Sequence, residues 1–262
     1  MITPPRSTIA GSAIILATAA LLLVFLLFSY ELNGSLLFTA ALLVSAAAWF
    51  RQMQAVHMSL LSLLWILTYA IIPGLEWPFH MLLPLVVYAG FVWTVPSLRN
   101  SLLWIGQGRK GVDIRLLVLA TVLLSGAGLL LWYFFTEPDL TPFFELLPEV
   151  PIVLLPVAGL CFAILNAVME ESVFRGILMQ SLESALGAGM PVVLIQAALF
   201  GVMHYHPGAL PSGVWGVGMT FIYGVMLGLI RQRARGMLAP VVAHVLADAA
   251  VFAIVAGLKL SG

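Results

Sequence analysis

The chain has 262 residues, of which 62% are hydrophobic and only 8% are charged, and its formal net charge is zero. This composition excludes an ordinary soluble domain and indicates a protein that lies mostly within a lipid bilayer. Its few basic residues are scattered among loops, so no basic face of the kind that binds nucleic acid is present. A single cysteine, Cys161, excludes an intrachain disulfide framework and a CxxC metal site.

Apolar runs long enough to cross a bilayer recur along the whole chain and predict transmembrane helices. In chain order, the predicted spans are 8–29, 34–50, 56–74, 78–97, 115–135, 151–180, 190–206, 213–231 and 237–258. The second and the seventh are short, so the count is eight or nine spans. The predicted fold class is therefore all-α, a polytopic transmembrane helical bundle.

The basic residues also predict how the bundle is oriented. With nine spans and a cytoplasmic N-terminus, nearly all of them fall on the cytoplasmic side, as the positive-inside rule requires. These residues are Arg6, Arg51, Arg99, Arg109, Lys110, Arg115, Arg231, Arg233 and Arg235. The loop 97–113, which has apolar residues among its basic ones, is predicted to lie on this cytoplasmic surface. Low charge and compact loops suit a multi-pass protein of the bacterial cytoplasmic membrane.

Ionisable residues divide the chain into two regions. Residues 1–135 hold five predicted spans without a buried Asp, Glu, Lys or Arg, and His57 and His80 lie near span ends, as interfacial histidines do. Residues 151–258 hold the other four spans and all the predicted buried charges. We therefore expect an N-terminal five-span transmembrane region followed by a C-terminal four-helix catalytic core.

Three charged residues, Glu170, Glu171 and Arg175, lie within the sixth span, where a charge costs about 2.5–3.5 kcal/mol to insert. Residues four apart share a helix face, so Glu171 and Arg175 can pair. Glu170 is rotated by about 100° from Glu171 and has no local partner. An unpaired carboxylate in a site of low dielectric is a competent general base. The alternative is a structural Glu–Arg pair beside a water-filled cavity.

Two later spans each carry a histidine, His204 and His244, and Asp248 follows His244 by one helical turn. An aspartate at this spacing can fix the tautomer of the imidazole. Each motif alone is also explained by a hydrogen bond between helices. Their occurrence on three successive apolar segments predicts one shared active site suited to activating water, because each segment bears a separate insertion cost.

These motifs carry a resemblance to a known family. EExxxR at Glu170–Arg175, FxxxH at Phe200–His204 and HxxxD at His244–Asp248, in this order on separate spans, resemble the CPBP intramembrane proteases. That family includes the type II CAAX prenyl endopeptidases and the bacteriocin-processing and self-immunity proteins. The resemblance covers about residues 150–258. It implies a CAAX-protease-like endopeptidase that hydrolyses a peptide bond in a membrane-associated or lipidated protein or peptide.

The resemblance also implies a role for each site residue. Glu170 with His204 would hold and deprotonate the attacking water, and His244 with Asp248 would stabilise the oxyanion. The prenyl endopeptidases carry asparagine where this chain has Asp248. Because an ionised aspartate repels an oxyanion, Asp248 would have to be protonated, orient His244 or bind a metal.

By the same resemblance, Glu171 and Arg175 would organise the site. The sequence alone leaves open whether the site holds a metal ion. A divalent zinc-like ion would take its ligands from Glu170, His204, His244 and Asp248. No HExxH helix is present, and a glutamate with a histidine can activate water unaided, so we expect no essential metal.

Two other functions are compatible with the same residues. A proton-coupled transporter could use the buried groups as a relay, and a non-catalytic immunity or binding factor could retain the site without turnover. For the endopeptidase, the expected partners are membrane lipid and a membrane-associated or lipidated protein or peptide substrate.

Overall fold

The computed structural model describes residues 6–28 and 34–261, and within them every regular element is helical. The α-helices are α1 (Ile9–Leu27), α2 (Gly34–Trp49), α3 (Met53–Ile71), α4 (Phe79–Thr94), α5 (Pro96–Ser101), α6 (Val112–Thr136), α7 (Thr141–Glu145), α8 (Leu155–Glu171), α9 (Met179–Leu186), α10 (Met190–Met203), α11 (Gly213–Ala234) and α12 (Leu238–Ser261). A short 3₁₀ turn (Ile152–Leu154) precedes α8, and a π-helical segment (Ser172–Leu178) joins α8 to α9. The all-α prediction is confirmed.

Each predicted span coincides with an apolar helical segment, although residue 29, the last of the first span, lies outside the described residues. In the described part of the chain, six helical segments are long and apolar enough to cross a membrane. The longest runs without a break from Ile152 to Leu186 through α8, the π-helical segment and α9. The other three, α2, α4 and α10, are shorter, with 16, 16 and 14 residues. The chain is an integral multi-pass membrane protein.

Helix α10 ends earlier than the sequence predicts. The predicted span runs to residue 206, but the helix stops at Met203, and His204 is its C-cap residue. Pro207 explains the early end, because a proline disfavours helical backbone at the residue before it, here His206. The first of the two predicted catalytic histidines therefore lies just after a helix, not within one.

Close contacts between helices hold the last four spans together. Helix α12 packs along α8, and α10 packs along α11. Gly159 lets the ring of Phe252 approach α8 so closely that an added Cβ would lie 2.5 Å from Cδ1 of that ring. At Gly224 an added Cβ would lie 3.1 Å from Ala197 of α10. These approaches bring the parts of α8, α10, α11 and α12 that carry the candidate site close together.

The hydrophobic core contains residues from both of the regions that the distribution of ionisable residues defines. Helices α1 and α3 pack against α9, and α1 also packs against α10. One core cluster contains Phe25 and Trp65 from the first region together with Phe174 and Phe200 from the second. The first region therefore supports the helices that carry the site directly.

The loop predicted to lie on the cytoplasmic surface is tied to the turn between α11 and α12. Met237 donates its N–H to the Gly106 carbonyl over 2.7 Å, and Arg109 donates its N–H to the Ala234 carbonyl over 2.7 Å. Gly236 makes this possible, because a Cβ there would overlap the backbone of the loop. The loop is thus packed against protein and is non-helical after Ser101.

Candidate active site

The two adjacent glutamates lie at the C-terminal end of α8, where the helix changes its hydrogen-bond pattern. The next seven residues form the π-helical segment, whose wider turn is frequent at functional sites. Ser172 donates its hydroxyl to the Val168 carbonyl over 2.6 Å, so this carbonyl is engaged where the pattern changes. Gly176 lies against the indole ring of Trp104 and would meet it within 2.8 Å if it carried a Cβ.

Glu171 is the acceptor at the centre of a buried charge cluster. Its Oε1 accepts from Nη1 of Arg175 over 2.8 Å and lies 2.8 Å from Nδ1 of His244. The side chains of Glu171 and Arg175 have no exposed surface. The guanidinium also lies 4.4 Å from the centre of the Phe200 ring, a cation–π contact. The pairing predicted from the i, i+4 spacing is therefore present, and it extends to a histidine on another helix.

His244 connects all three carboxylates of the site. Since Nδ1 faces the Glu171 carboxylate, it carries a proton and donates. The other ring nitrogen, Nε2, lies 3.5 Å from Oε2 of Glu170 and 3.5 Å from Oδ1 of Asp248. A proton on Nε2 would be shared among the imidazole and two carboxylates. The structure thus brings together Glu170, Glu171, Arg175, His244 and Asp248.

Several buried polar atoms of this cluster have no hydrogen-bond partner among the residues that the structure describes. They include Oε2 of Glu170 and the hydroxyl of Tyr223. The Tyr223 ring packs edge-on against His244, with 5.3 Å between ring centres. Because buried polar groups are nearly always hydrogen-bonded, such atoms indicate where a water molecule or a polar group of a substrate would bind.

His204 lies beside the cluster and contacts it through Phe200. Its Nδ1 donates to the Phe200 carbonyl over 2.9 Å, which leaves Nε2 as the acceptor in the neutral ring. The Phe200 ring packs edge-on against both imidazoles, with centre distances of 4.8 Å to His204 and 6.1 Å to His244. Over the described residues, no hydrogen bond or ion pair joins His204 to Glu170.

Of the four predicted metal ligands, Glu170 and Asp248 lie near Nε2 of His244, and His204 lies beside them. Among the described residues, no three His, Cys, Asp or Glu side chains are arranged to hold a metal ion. Nδ1 of each imidazole is engaged with an oxygen of the protein, His244 with Glu171 and His204 with Phe200. Metal-binding histidines commonly donate Nδ1–H to a protein oxygen in the same way, so the absence of an essential metal stays a prediction, and we derive no step of the chemistry through an ion.

Sequence reasoning missed two residues that touch the cluster. Tyr223 is uncharged and lies in an apolar helix, so nothing in the sequence marked it. Asn166 donates from Nδ2 to Oδ2 of Asp248 over 3.1 Å. It lies one helical turn before Glu170 on the same face of α8, and this spacing is the signal that could have identified it.

Comparison with known families gives one match. Residues 152–250 match the family model described as type II CAAX prenyl endopeptidase, Rce1-like. No curated protein and no solved structure matches the chain. The matched stretch contains all six site residues predicted from the sequence, from Glu170 to Asp248, and the resemblance to the CPBP proteases is confirmed over it. These residues form a domain of the membrane-protease type.

Proposed function

Because residues 152–250 match a family of CAAX membrane proteases, we propose that this protein is an intramembrane endopeptidase that uses water to hydrolyse a peptide bond. The single observation that carries the proposal is the position of Oε2 of Glu170. Within the described ranges 6–28 and 34–261 this buried oxygen has no hydrogen-bond partner, and it lies 3.5 Å from Nε2 of His244. A carboxylate and an imidazole in this relation can hold and polarise one water molecule.

In the proposed reaction, Glu170 accepts a proton from water while the water oxygen attacks the carbonyl carbon of the scissile bond. The carbonyl electron pair moves to oxygen and gives a tetrahedral oxyanion. When the oxyanion collapses, the carbon–nitrogen bond breaks and the proton on Glu170 passes to the leaving amine. The products are a new C-terminal carboxyl group and a new amine, so atoms and charge balance.

Two donors beside Glu170 suit the oxyanion. Nε2 of His244, when protonated, and the unpartnered Tyr223 hydroxyl both belong to the same buried cluster. Donors that are held in place before the reaction stabilise developing charge strongly in a site from which water is largely excluded. The Glu171 carboxylate holds the His244 ring in place through Nδ1, and Arg175 neutralises that carboxylate.

His204 is the second group proposed to bind the attacking water. Its Nδ1 is occupied by the Phe200 carbonyl, so Nε2 is the nitrogen available to accept a hydrogen bond from water. Because no direct hydrogen bond joins the two residues over the described chain, the attacking water would bridge them. We therefore assign His204 to water binding and Glu170 to proton transfer.

The proposed substrate is a membrane-associated or lipidated protein or peptide. The proposed location is the bacterial cytoplasmic membrane, with the N-terminus and the opening of the site toward the cytoplasm, as the loop charges favour. A bacterial host need hold no prenylated CAAX protein. Leader peptides of bacteriocins and C-terminal sorting segments are therefore the first natural substrates to test.

The test compares Glu170→Gln with Glu145→Gln, a matched change at an exposed glutamate in α7. Purified full-length variants in nanodiscs receive a farnesylated, internally quenched CAAX peptide. Membranes from a strain carrying Glu170→Gln are searched in parallel for uncleaved precursors. We expect Glu170→Gln to lower the cleavage rate by about 10²–10⁴-fold, the contribution of a general base, and Glu145→Gln to cleave normally. Cleavage by Glu170→Gln at the wild-type rate would refute the assignment.

A further inference from the structure

A chain of hydrogen bonds reaches the site from a residue outside the matched stretch. Trp77, in the loop between α3 and α4, donates from Nε1 to Oδ1 of Asn166 over 3.0 Å. Asn166 donates from Nδ2 to Oδ2 of Asp248 over 3.1 Å. The other oxygen of Asp248, Oδ1, lies 3.5 Å from Nε2 of His244. We propose that Trp77 and Asn166 are positioning residues that fix Asp248 as an acceptor toward His244, an inference that rests on the proposed function.

The direction of these hydrogen bonds follows from the first donor. An indole N–H can only donate, so it holds the amide oxygen of Asn166 toward Trp77. The amide nitrogen of Asn166 must then point toward residue 248 and donate to it. Residue 248 must therefore present an acceptor to Asn166.

The same direction accounts for an aspartate at position 248. A carboxylate has an acceptor on each side, so Asp248 can accept from Asn166 and still offer Oδ1 to a protonated His244. An asparagine there would accept from Asn166 only by turning its NH₂ group toward the imidazole, where donor would face donor whenever Nε2 is protonated. Asp248 orients His244 in this account by accepting a hydrogen bond from the Nε2 proton before the reaction, and it yields that proton to the oxyanion as the oxyanion forms.

Aromatic packing holds Trp77 beside the site, although its side chain is partly exposed. Its ring lies against Phe162 of α8, with 5.1 Å between ring centres. Phe162 in turn lies 6.2 Å from the ring of Phe252 on α12. Trp77 is therefore placed by the two helices that carry Glu170 and His244. A phenylalanine could keep this aromatic packing and lose only the N–H donor.

The inference gives the first five-span region a part in the site. Trp77 lies outside residues 152–250, yet only Asn166 and Asp248 separate it from His244. The orientation of the imidazole thus depends on a loop of the region that carries no buried charge.

The test uses a pair of exchanged residues, with full-length protein in nanodiscs and the farnesylated quenched peptide. In Asn166→Asp, two carboxylates face each other, and we expect kcat to fall about a hundredfold with little change in KM. In Asn166→Asp with Asp248→Asn, the new amide donates to position 166 and turns its oxygen toward His244. We expect this double variant to recover kcat to within about tenfold of wild type, because every donor again meets an acceptor.

Trp77→Phe removes the first donor alone. We expect kcat to fall about 3–10-fold with KM unchanged, which corresponds to the loss of about one net hydrogen bond. Trp93→Phe, at an exposed tryptophan of α4, is the matched control and should keep the wild-type kcat. A wild-type kcat in Trp77→Phe, or a double variant as slow as Asn166→Asp, would overturn the inference.

A thermal unfolding measurement separates this inference from the proposed function. Asn166→Asp should lower the unfolding midpoint by about 2–4 °C and the double variant should restore it, whether or not the peptide is cleaved. If the wild type cleaves neither the peptide nor any precursor enriched in the Glu170→Gln strain, or if Glu170→Gln cleaves equally well, the proposed function fails and the midpoints still decide the hydrogen-bond chain. Midpoints that show no recovery in the double variant would contradict the chain itself.

Discussion

Two buried polar clusters share the helix from Ile152 to Leu186, and they differ in how completely their atoms are paired. One, which we call the glutamine–histidine network, links α3, α4, α5 and α9. Its members are Gln54, His57, Tyr88, Ser101, Gln180 and Ser181. The other is the candidate site around Glu170 and His244.

In the glutamine–histidine network, each side chain has a partner of the right kind. Ser101 donates its hydroxyl to the Leu98 carbonyl over 2.9 Å, so His57 donates to Ser101 from Nε2 over 2.9 Å. The remaining nitrogen, Nδ1, accepts from the Tyr88 hydroxyl over 2.7 Å. His57 is 1% exposed and lies inside this network near the start of α3, and its position at the membrane interface stays a prediction.

In the candidate site, by contrast, polar atoms are left over. Oε2 of Glu170, Oε2 of Glu171, Nε of Arg175 and the Tyr223 hydroxyl are all buried without a hydrogen-bond partner. A paired network gives rigidity, whereas unpaired buried groups have capacity to bind something else. Burial of polar residues is thus common to both clusters, and incomplete pairing is what distinguishes the one proposed to act on a substrate.

The largest effect on stability is expected where a charge would lose its partner. Arg175→Met leaves Glu171 buried without its cation and should lower the free energy of unfolding by about 3–5 kcal/mol. Arg109→Met removes an exposed arginine and should change it by less than about 0.5 kcal/mol. Unfolding by SDS in mixed micelles measures both. Equal free energies of unfolding for the Arg175→Met and Arg109→Met variants would show that the Glu171–Arg175 pair does not stabilise the cluster.

The paired network should affect stability without affecting chemistry. Gln180→Ala removes the partner of the Gln54 side chain and of the Leu103 N–H, and it should destabilise the protein by about 1–3 kcal/mol. The cleavage rate per folded molecule should stay at the wild-type value, measured after the folded fraction is determined. A fall in kcat with the folded fraction unchanged would give this network a part in catalysis and weaken the contrast.

The reverse pattern is expected at Tyr223. Because its hydroxyl has no partner, Tyr223→Phe should leave the free energy of unfolding within about 0.5 kcal/mol of wild type. The same change should lower kcat by about tenfold, since one donor to the oxyanion is lost. Tyr133→Phe in α6 is the matched control. An unchanged kcat in Tyr223→Phe would remove this hydroxyl from the proposed mechanism.

The smallest effect is expected from removing divalent ions. Because a glutamate and a histidine can activate water unaided, cleavage after exhaustive chelation should stay within about twofold of the untreated rate. The rate is measured again after zinc is added back. Activity that is lost on chelation and restored by zinc would replace the metal-free mechanism with a metal-dependent one.

Much of the fold could be predicted from the sequence because apolar length alone identifies membrane helices. The pairing of Glu171 with Arg175 was predictable because both lie on one helix at i, i+4 spacing. The π-helical segment was not, since the same apolar residues fit an α-helix equally well. The end of α10 was misplaced by three residues because Pro207, the residue that ends it, lies beyond the apolar run.

Contacts between distant parts of the chain were the least predictable. Trp77 and Asn166 are 89 positions apart, and neither carries a charge that would mark it inside a membrane. The link between the loop at Gly106 and the turn at Met237 depends on a close approach of two backbones. The glycines in the sequence do not indicate which two segments approach each other. Insertion cost therefore identified the ionisable residues of the site, and only the packed structure identified the neutral residues that hold them.

The central claim is that the cluster around Glu170 and His244 adds water to a peptide carbonyl. The most direct measurement incubates the purified protein and the farnesylated peptide in ¹⁸O-labelled water and weighs the product by mass spectrometry. The wild type should place one ¹⁸O atom in the new C-terminal carboxyl group, and Glu170→Gln should give essentially no product. The claim would be contradicted if Glu170→Gln formed labelled product as fast as the wild type. It would also be contradicted if the wild type hydrolysed neither this peptide nor any precursor enriched in the Glu170→Gln strain.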